Sequence, residues 1–179
     1  MIRLIIVLAF LLNACSTPVS SNYKMVNLPH SPAAWQIYDS GAPSEIRVSS
    51  AILIFYRNWE VRFGDSERKV KEALNKVMIE WSSEEKIHRS IGTNLEGRIV
   101  TQAYIKGMTL SPSYVWVKTN MYNRIFATSL VHELVHVALW AEGCKSGDPD
   151  HEGDSILCWT KEHTEFIQDV NLYLAEVDL

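Results

Sequence analysis

Between Ser129 and Trp140 the chain reads S-L-V-H-E-L-V-H-V-A-L-W, and no other stretch limits the possible folds as strongly. Apolar residues flank His132, Glu133 and His136 on every side, so a helix here must be buried rather than laid on a surface. Burying two imidazoles and a carboxylate without partners is costly. On a helix, His132 and His136 stand one turn apart and project from one face. Two imidazoles at that spacing can bind one Zn2+, and Glu133 beside them can take a proton from a metal-bound water. The plainer alternative is a pair of core histidines satisfied by hydrogen bonds.

The N-terminus has a different character. A short cationic start, Met1-Ile2-Arg3, precedes an apolar run from Leu4 to Leu12 that is too short to span a bilayer comfortably, which predicts a secretory signal peptide over residues 1–14. Its end, Leu12-Asn13-Ala14-Cys15, resembles a bacterial lipobox. The resemblance implies cleavage before Cys15, lipidation of its thiol and, with Ser16 next, a lipid-anchored envelope protein on the outer membrane facing the periplasm. Residues 15–44, with Pro18, Pro29, Pro32 and Pro43, are expected to be the lipidated Cys and a flexible tether, from which Trp35, Ile37 and Tyr38 can dock onto the body. The net charge of −4 and the lack of a basic patch argue against nucleic-acid binding. Outside the cytoplasm, the remaining cysteines, Cys144 and Cys158, read as a disulfide, with a pair of metal-binding thiolates as the alternative.

Residues 45–179 suit one domain. Glu45 to Trp59, with a nearly continuous apolar run from Ala51 to Tyr56, reads as a strand covered on both faces for part of its length. Asp65 or Ser66 is expected to cap an amphipathic helix carrying Val70, Ala73, Leu74, Val77, Met78 and Trp81. Gly97 to Lys106 reads as a second strand, Gly107 to Pro112 as a turn, and Tyr114 to Lys118 as a third strand. Asn120 or Asn123 is expected to cap the His132 helix, which should stop at Gly143. After a Gly/Asp/Pro loop, Thr160 should cap a final helix.

This order and the motif together resemble the zincin metalloproteases, including the SprT-like ones. The likeness covers about the last 130 residues in architecture, but only His132 to His136 in specific motif. It implies an α+β fold: a small twisted mixed sheet with a backing helix, the H-E-x-x-H helix and a C-terminal helix. It also implies that an edge strand, here Tyr114 to Lys118, pairs with an extended peptide substrate.

A catalytic zinc needs a third protein ligand and an open position. The metzincin pattern fails, because Leu139 and Glu142 stand where its Gly and third His belong. The gluzincin pattern is met in spacing by Glu165, with Asp169 four residues on. His151, in Gly147-Asp148-Pro149-Asp150-His151-Glu152-Gly153, partly matches the SprT-like loop and is the preferred third ligand, with neighbouring aspartates able to orient its second nitrogen. His163, Glu162 and Glu142 are lesser alternatives, and His30 and His88 read as exposed loop residues. The implied chemistry is zinc-dependent hydrolysis of a protein or peptide substrate with Glu133 as general base. Tyr104, Tyr114, Tyr122, Tyr173 and His163 are candidates for stabilising the oxyanion. A non-catalytic zinc-binding scaffold and a cell-wall amidase are the rivals.

Overall fold

The structure is a computed structural model that describes residues 24–27, 35–38, 41–88, 92–93, 99–100, 103–144 and 158–179, with side chains placed over 41–85, 105–144 and 158–179. The leader, Cys15 and His151 lie outside the described residues. The elements are β1 (Lys24–Asn27), β2 (Trp35–Tyr38), α1 (Glu45–Arg62), α2 (Lys69–Leu74), β3 (Met78–Ser82), β4 (Lys86–His88), β5 (Gly92–Thr93), β6 (Ile99–Val100), β7 (Ala103–Ile105), β8 (Gly107–Ser111), β9 (Tyr114–Lys118), a 3-10 turn (Ile125–Ala127), α3 (Leu130–Ala141) and α4 (Lys161–Glu176). The fold is α+β. Its main sheet is mixed, in the order β1-β2-β3-β9-β8, with β3 parallel to both β2 and β9, and the outer pairs antiparallel. Two short antiparallel pairs, β4 with β7 and β5 with β6, complete the strands. Within the stretch expected to be a tether, residues 24–27 and 35–38 pair in the sheet, the latter including Trp35, Ile37 and Tyr38.

The stretch expected to be a strand at Glu45–Trp59 is a helix. Nothing between Ser44 and Gly64 breaks it, and Val48, Ile52, Phe55 and Trp59 recur at helical spacing and are buried. The period is blurred in sequence because the opposite face also carries apolar residues, Ile46, Leu53 and Val61, all solvent-exposed. The Ser44 hydroxyl accepts from the Arg47 N–H at 3.4 Å and starts the helix.

The converse correction applies to the helix expected from Asp65 through Trp81. The Asp65 carboxylate does accept from Val70 N–H and Lys71 N–H, at 3.2 and 2.9 Å, but α2 ends at Leu74. Beyond it Val77, Ile79 and Trp81 alternate with Met78 and Glu80 and are fully buried, which is the two-residue period of a strand. Val70, Leu74, Val77, Met78 and Trp81 satisfy helical spacing only because the two periods coincide at these positions. The expected turn at Gly107–Pro112 is β8 itself, and the expected strand over Gly97–Lys106 is divided between β6 and β7.

The core joins the helices to β3 and β9. Phe55, Trp59 and Phe63 of the α1 region form an aromatic cluster with Phe166 and His163 of α4, at centroid separations of 4.5 to 5.7 Å. Around its rim, Arg62 gathers Glu162, Glu165 and Asp169 from α4. No helix among the described residues is long and apolar enough to cross a membrane.

Candidate metal centre

The helix α3 is enclosed on nearly all sides. Leu130, Val131, Leu134, Val135, Val137, Ala138 and Leu139 are buried against α2, α4 and the sheet. Its first turn is set by Thr128, whose hydroxyl accepts from Leu130 N–H at 3.2 Å. Neither Asn120 nor Asn123 caps it: Asn120 closes the preceding turn through Tyr122 N–H and the Arg124 carbonyl. At the other end Gly143 takes φ +98°, a conformation that suits glycine, and Cys144 N–H returns to Leu139 O at 2.9 Å.

His132 and His136 lie side by side with ring centroids 5.1 Å apart. Trp159 covers both, its ring centroid 5.0 Å from His132 and 4.8 Å from His136. Cys144 and Cys158 form a disulfide across 14 residues of sequence, so the expected pairing is present, and the residue it brings in beside α3 is Trp159. Loop closure of this length contributes about 3 kcal/mol.

Glu133 is only 4% exposed. Its carboxylate accepts from the Thr109 hydroxyl at 2.8 Å, and that same hydroxyl lies 3.1 Å from the Glu133 main-chain carbonyl. Gly107 and Thr109, two apart on β8, face the helix together, while Leu110 between Thr109 and Ser111 falls where the β8–β9 register shifts and points to solvent. A Cβ on Gly107 would come within 2.5 Å of Glu133 Oε1 and 2.8 Å of both Glu133 Cγ and Ser129 Cβ. Glycine is what lets the strand approach the carboxylate this closely.

Two imidazoles one turn apart on a helix are donors of the type that bind a divalent ion such as Zn2+, and the Glu133 carboxylate between them in sequence is held by Thr109. Among the described residues no cluster of three or more His, Cys, Asp or Glu side chains is arranged to hold a metal ion. Glu165 is engaged with Arg62 and Lys161 at 3.3 and 3.1 Å. His163 is buried at the start of α4, where its Nδ1 accepts from Thr160 N–H at 3.0 Å in the expected cap. Glu142 accepts from Trp59 Nε1–H, and burial raises its pKa.

Of the tyrosines considered for the oxyanion, Tyr114 is hydrogen-bonded to Glu80 across β3 and β9, while Tyr122 and Tyr173 are solvent-exposed. Gly107, Thr109 and Trp159 are the neighbours that sequence motifs did not mark. A lone glycine in an alternating segment was the available signal for the first.

Burial pushes the Glu133 carboxyl up to about 7, against the Thr109 hydrogen bonds, which pull it down. A folded value above the unfolded one means that the fold favours the protonated form. That contribution is fully present below about pH 4.5, declines as pH rises and is gone above pH 7. The rise from 4.5 to about 7 corresponds to roughly 3 kcal/mol. With metal removed by a chelator, Glu133→Gln should therefore match wild type in urea titrations near pH 4.5 and exceed it by a few kcal/mol at pH 8. Equal stabilities at pH 8 would show that the carboxylate is not desolvated as described.

No family model matches the chain, and neither a curated protein nor a solved structure matches it.

Proposed function

We propose that the chain is a zinc-dependent peptidase with a zincin-like arrangement, secreted and held at the envelope by lipid on Cys15. One observation carries the enzymatic part. Glu133 is buried on the helix that carries the two neighbouring imidazoles and is held by Thr109 from a neighbouring strand, an arrangement that a purely structural ion does not need. His132, His136 and His151 would hold the ion. When bound, Zn2+ polarises a scissile carbonyl and acidifies water.

The remaining steps belong to the protein. Glu133 accepts the proton of the attacking water and delivers it to the leaving amine. The Thr109 hydroxyl keeps the carboxylate in one orientation during that exchange. An extended peptide can add to the open edge of the sheet. Among the described residues the outer strand on the α3 side is β8, because β9 lies between β3 and β8. A peptide laid along β8 passes Gly107 and Thr109, the residues of that strand that meet Glu133.

The purified full chain is expected to contain one zinc per molecule and to degrade denatured protein. A chelator should abolish that activity and added Zn2+ should restore it. His151→Ala should lower the zinc content and Glu165→Ala should not. The opposite result would move the third ligand to α4, and a chain that takes up no zinc would overturn the proposal.

A further inference from the structure

We infer that Trp159 is the positioning residue of the imidazole pair and that the Cys144–Cys158 bond holds it in place, which makes metal affinity sensitive to thiol reductants. This rests on the zinc-centre reading above and adds a means of control to it.

Trp159 lies between two anchors. On its C-terminal side is Thr160, the cap of α4. On its N-terminal side is Cys158, bonded to Cys144 just beyond the end of α3, the helix that carries both histidines. The indole is buried, 9% exposed, and its Nε1–H donates to Thr164 Oγ1 at 3.1 Å, which fixes the orientation of the ring plane.

The indole is tilted 45° to the His132 ring and 39° to the His136 ring. With the imidazoles 5.1 Å from each other, the three rings form a closed triangle. An imidazole bound on one side by its helix and on another by an indole has little freedom to turn about its side-chain bonds. Loss of hydrogen-bonded partners that orient metal ligands costs about 10- to 100-fold in affinity, and a wall that orients both rings by packing is expected to reach the lower end of that range.

The bridge ties this wall to the same helix as the ligands. A dithiol reductant converts the S–S bond to two thiols, giving up two electrons and two protons and becoming its own cyclic disulfide. Trp159 keeps its anchors on α4, and the distance from the indole to α3 is no longer fixed by a covalent bond.

The test uses Co2+, because zinc is spectroscopically silent and Co2+ absorption reports ligand geometry. Affinity of the oxidised full chain is measured by competition with a chromogenic chelator, with far-UV circular dichroism to check folding. Trp159→Leu should weaken Co2+ binding about tenfold or more and alter the visible spectrum, and Trp159→Phe should restore both in large part. Reduction by dithiothreitol, removed anaerobically before the titration because a dithiol itself chelates Co2+, should weaken binding to wild type by a similar factor and should add little in Trp159→Leu.

Unchanged affinity and spectrum in Trp159→Leu overturn the inference while leaving the zinc centre standing. A reductant effect of full size in Trp159→Leu overturns the clamp and assigns the bridge's effect to the loop it closes. Failure of the oxidised wild type to bind Co2+ or Zn2+ at all overturns both this inference and the reading beneath it. The Leu and Phe variants keep the bridge intact, so they decide the role of Trp159 even if the reduced chain unfolds.

Discussion

Glu133→Gln is expected to lower the rate of peptide hydrolysis by at least a hundredfold, and by up to about ten thousandfold, while zinc content stays at the wild-type level. The substitution changes one oxygen to an amide nitrogen and little else. The amide oxygen can still accept from Thr109, so β8 and α3 should keep their relation. What is lost is the ability to accept a proton near neutral pH, because an amide is not a base in that range. The loss should fall on kcat and kcat/KM together, as for an interaction made on the way to the transition state rather than in substrate binding. This outcome separates the enzyme from a zinc-binding scaffold, for which the same change would leave the biological role intact. Comparing denatured protein with purified cell wall as substrate then separates a peptidase from an amidase. Wild-type turnover in Glu133→Gln would remove the general base and, with it, the mechanism.

How much of this was legible in the sequence depends on which period a segment displays. The helix over Leu130–Ala141 and its stop at Gly143 follow from a dense apolar pattern and a glycine free to take positive φ. The cap at Thr160, the strand at Tyr114–Lys118 and the Cys144–Cys158 bond were equally readable, since each depends on residues close in sequence or on a single available pairing. Two segments exchanged identities for a common reason. In α1 an apolar outer face, Ile46, Leu53 and Val61, hid a helical period. In the stretch from α2 into β3, a short helix running into a strand imitated one long helix through Val70, Leu74, Val77 and Trp81. Short apolar runs carry both readings, and only tertiary packing decides between them.

The placing of His132, Glu133 and His136 on one enclosed helix was legible from the dense apolar pattern around them. Their neighbours were not. Thr109 and Gly107 come to Glu133 from 24 and 26 positions upstream, through the pairing of β8 with β9 and the packing of β8 on α3. Trp159 arrives through a covalent bond and a helix cap that were each foreseeable, but their joint consequence is a matter of three-dimensional distance. The outer position belongs to β8 rather than to Tyr114–Lys118 because Gly107–Pro112, which reads as a turn in sequence, supplies the strand that pairs with β9.

Gly107→Ala should then be among the most damaging single-methyl additions in the chain. The new Cβ would meet Glu133 Oε1 at 2.5 Å, Glu133 Cγ at 2.8 Å and Ser129 Cβ at 2.8 Å. The carboxylate oxygen could swing aside, but Ser129 Cβ is fixed to the backbone at the start of α3 and can move only with the helix. Either response is harmful. Turning the carboxylate breaks its bond to the Thr109 hydroxyl, and moving the helix shifts His132 and His136 relative to β8. Overpacking of this kind costs about 1–3 kcal/mol, or a fall in Tm of roughly 2–4 °C for each kcal/mol in a chain of this size. Displacing a general base by about 1 Å can cost a further hundredfold in rate. Gly64→Ala is the control. Gly64 has φ +83° and nothing within 4 Å of an added Cβ, so it should lose about 1 kcal/mol from backbone strain and leave turnover unchanged. If Gly107→Ala were as benign for activity as Gly64→Ala, β8 could not lie against Glu133 as described, and the path of a peptide past the general base would have to be drawn elsewhere.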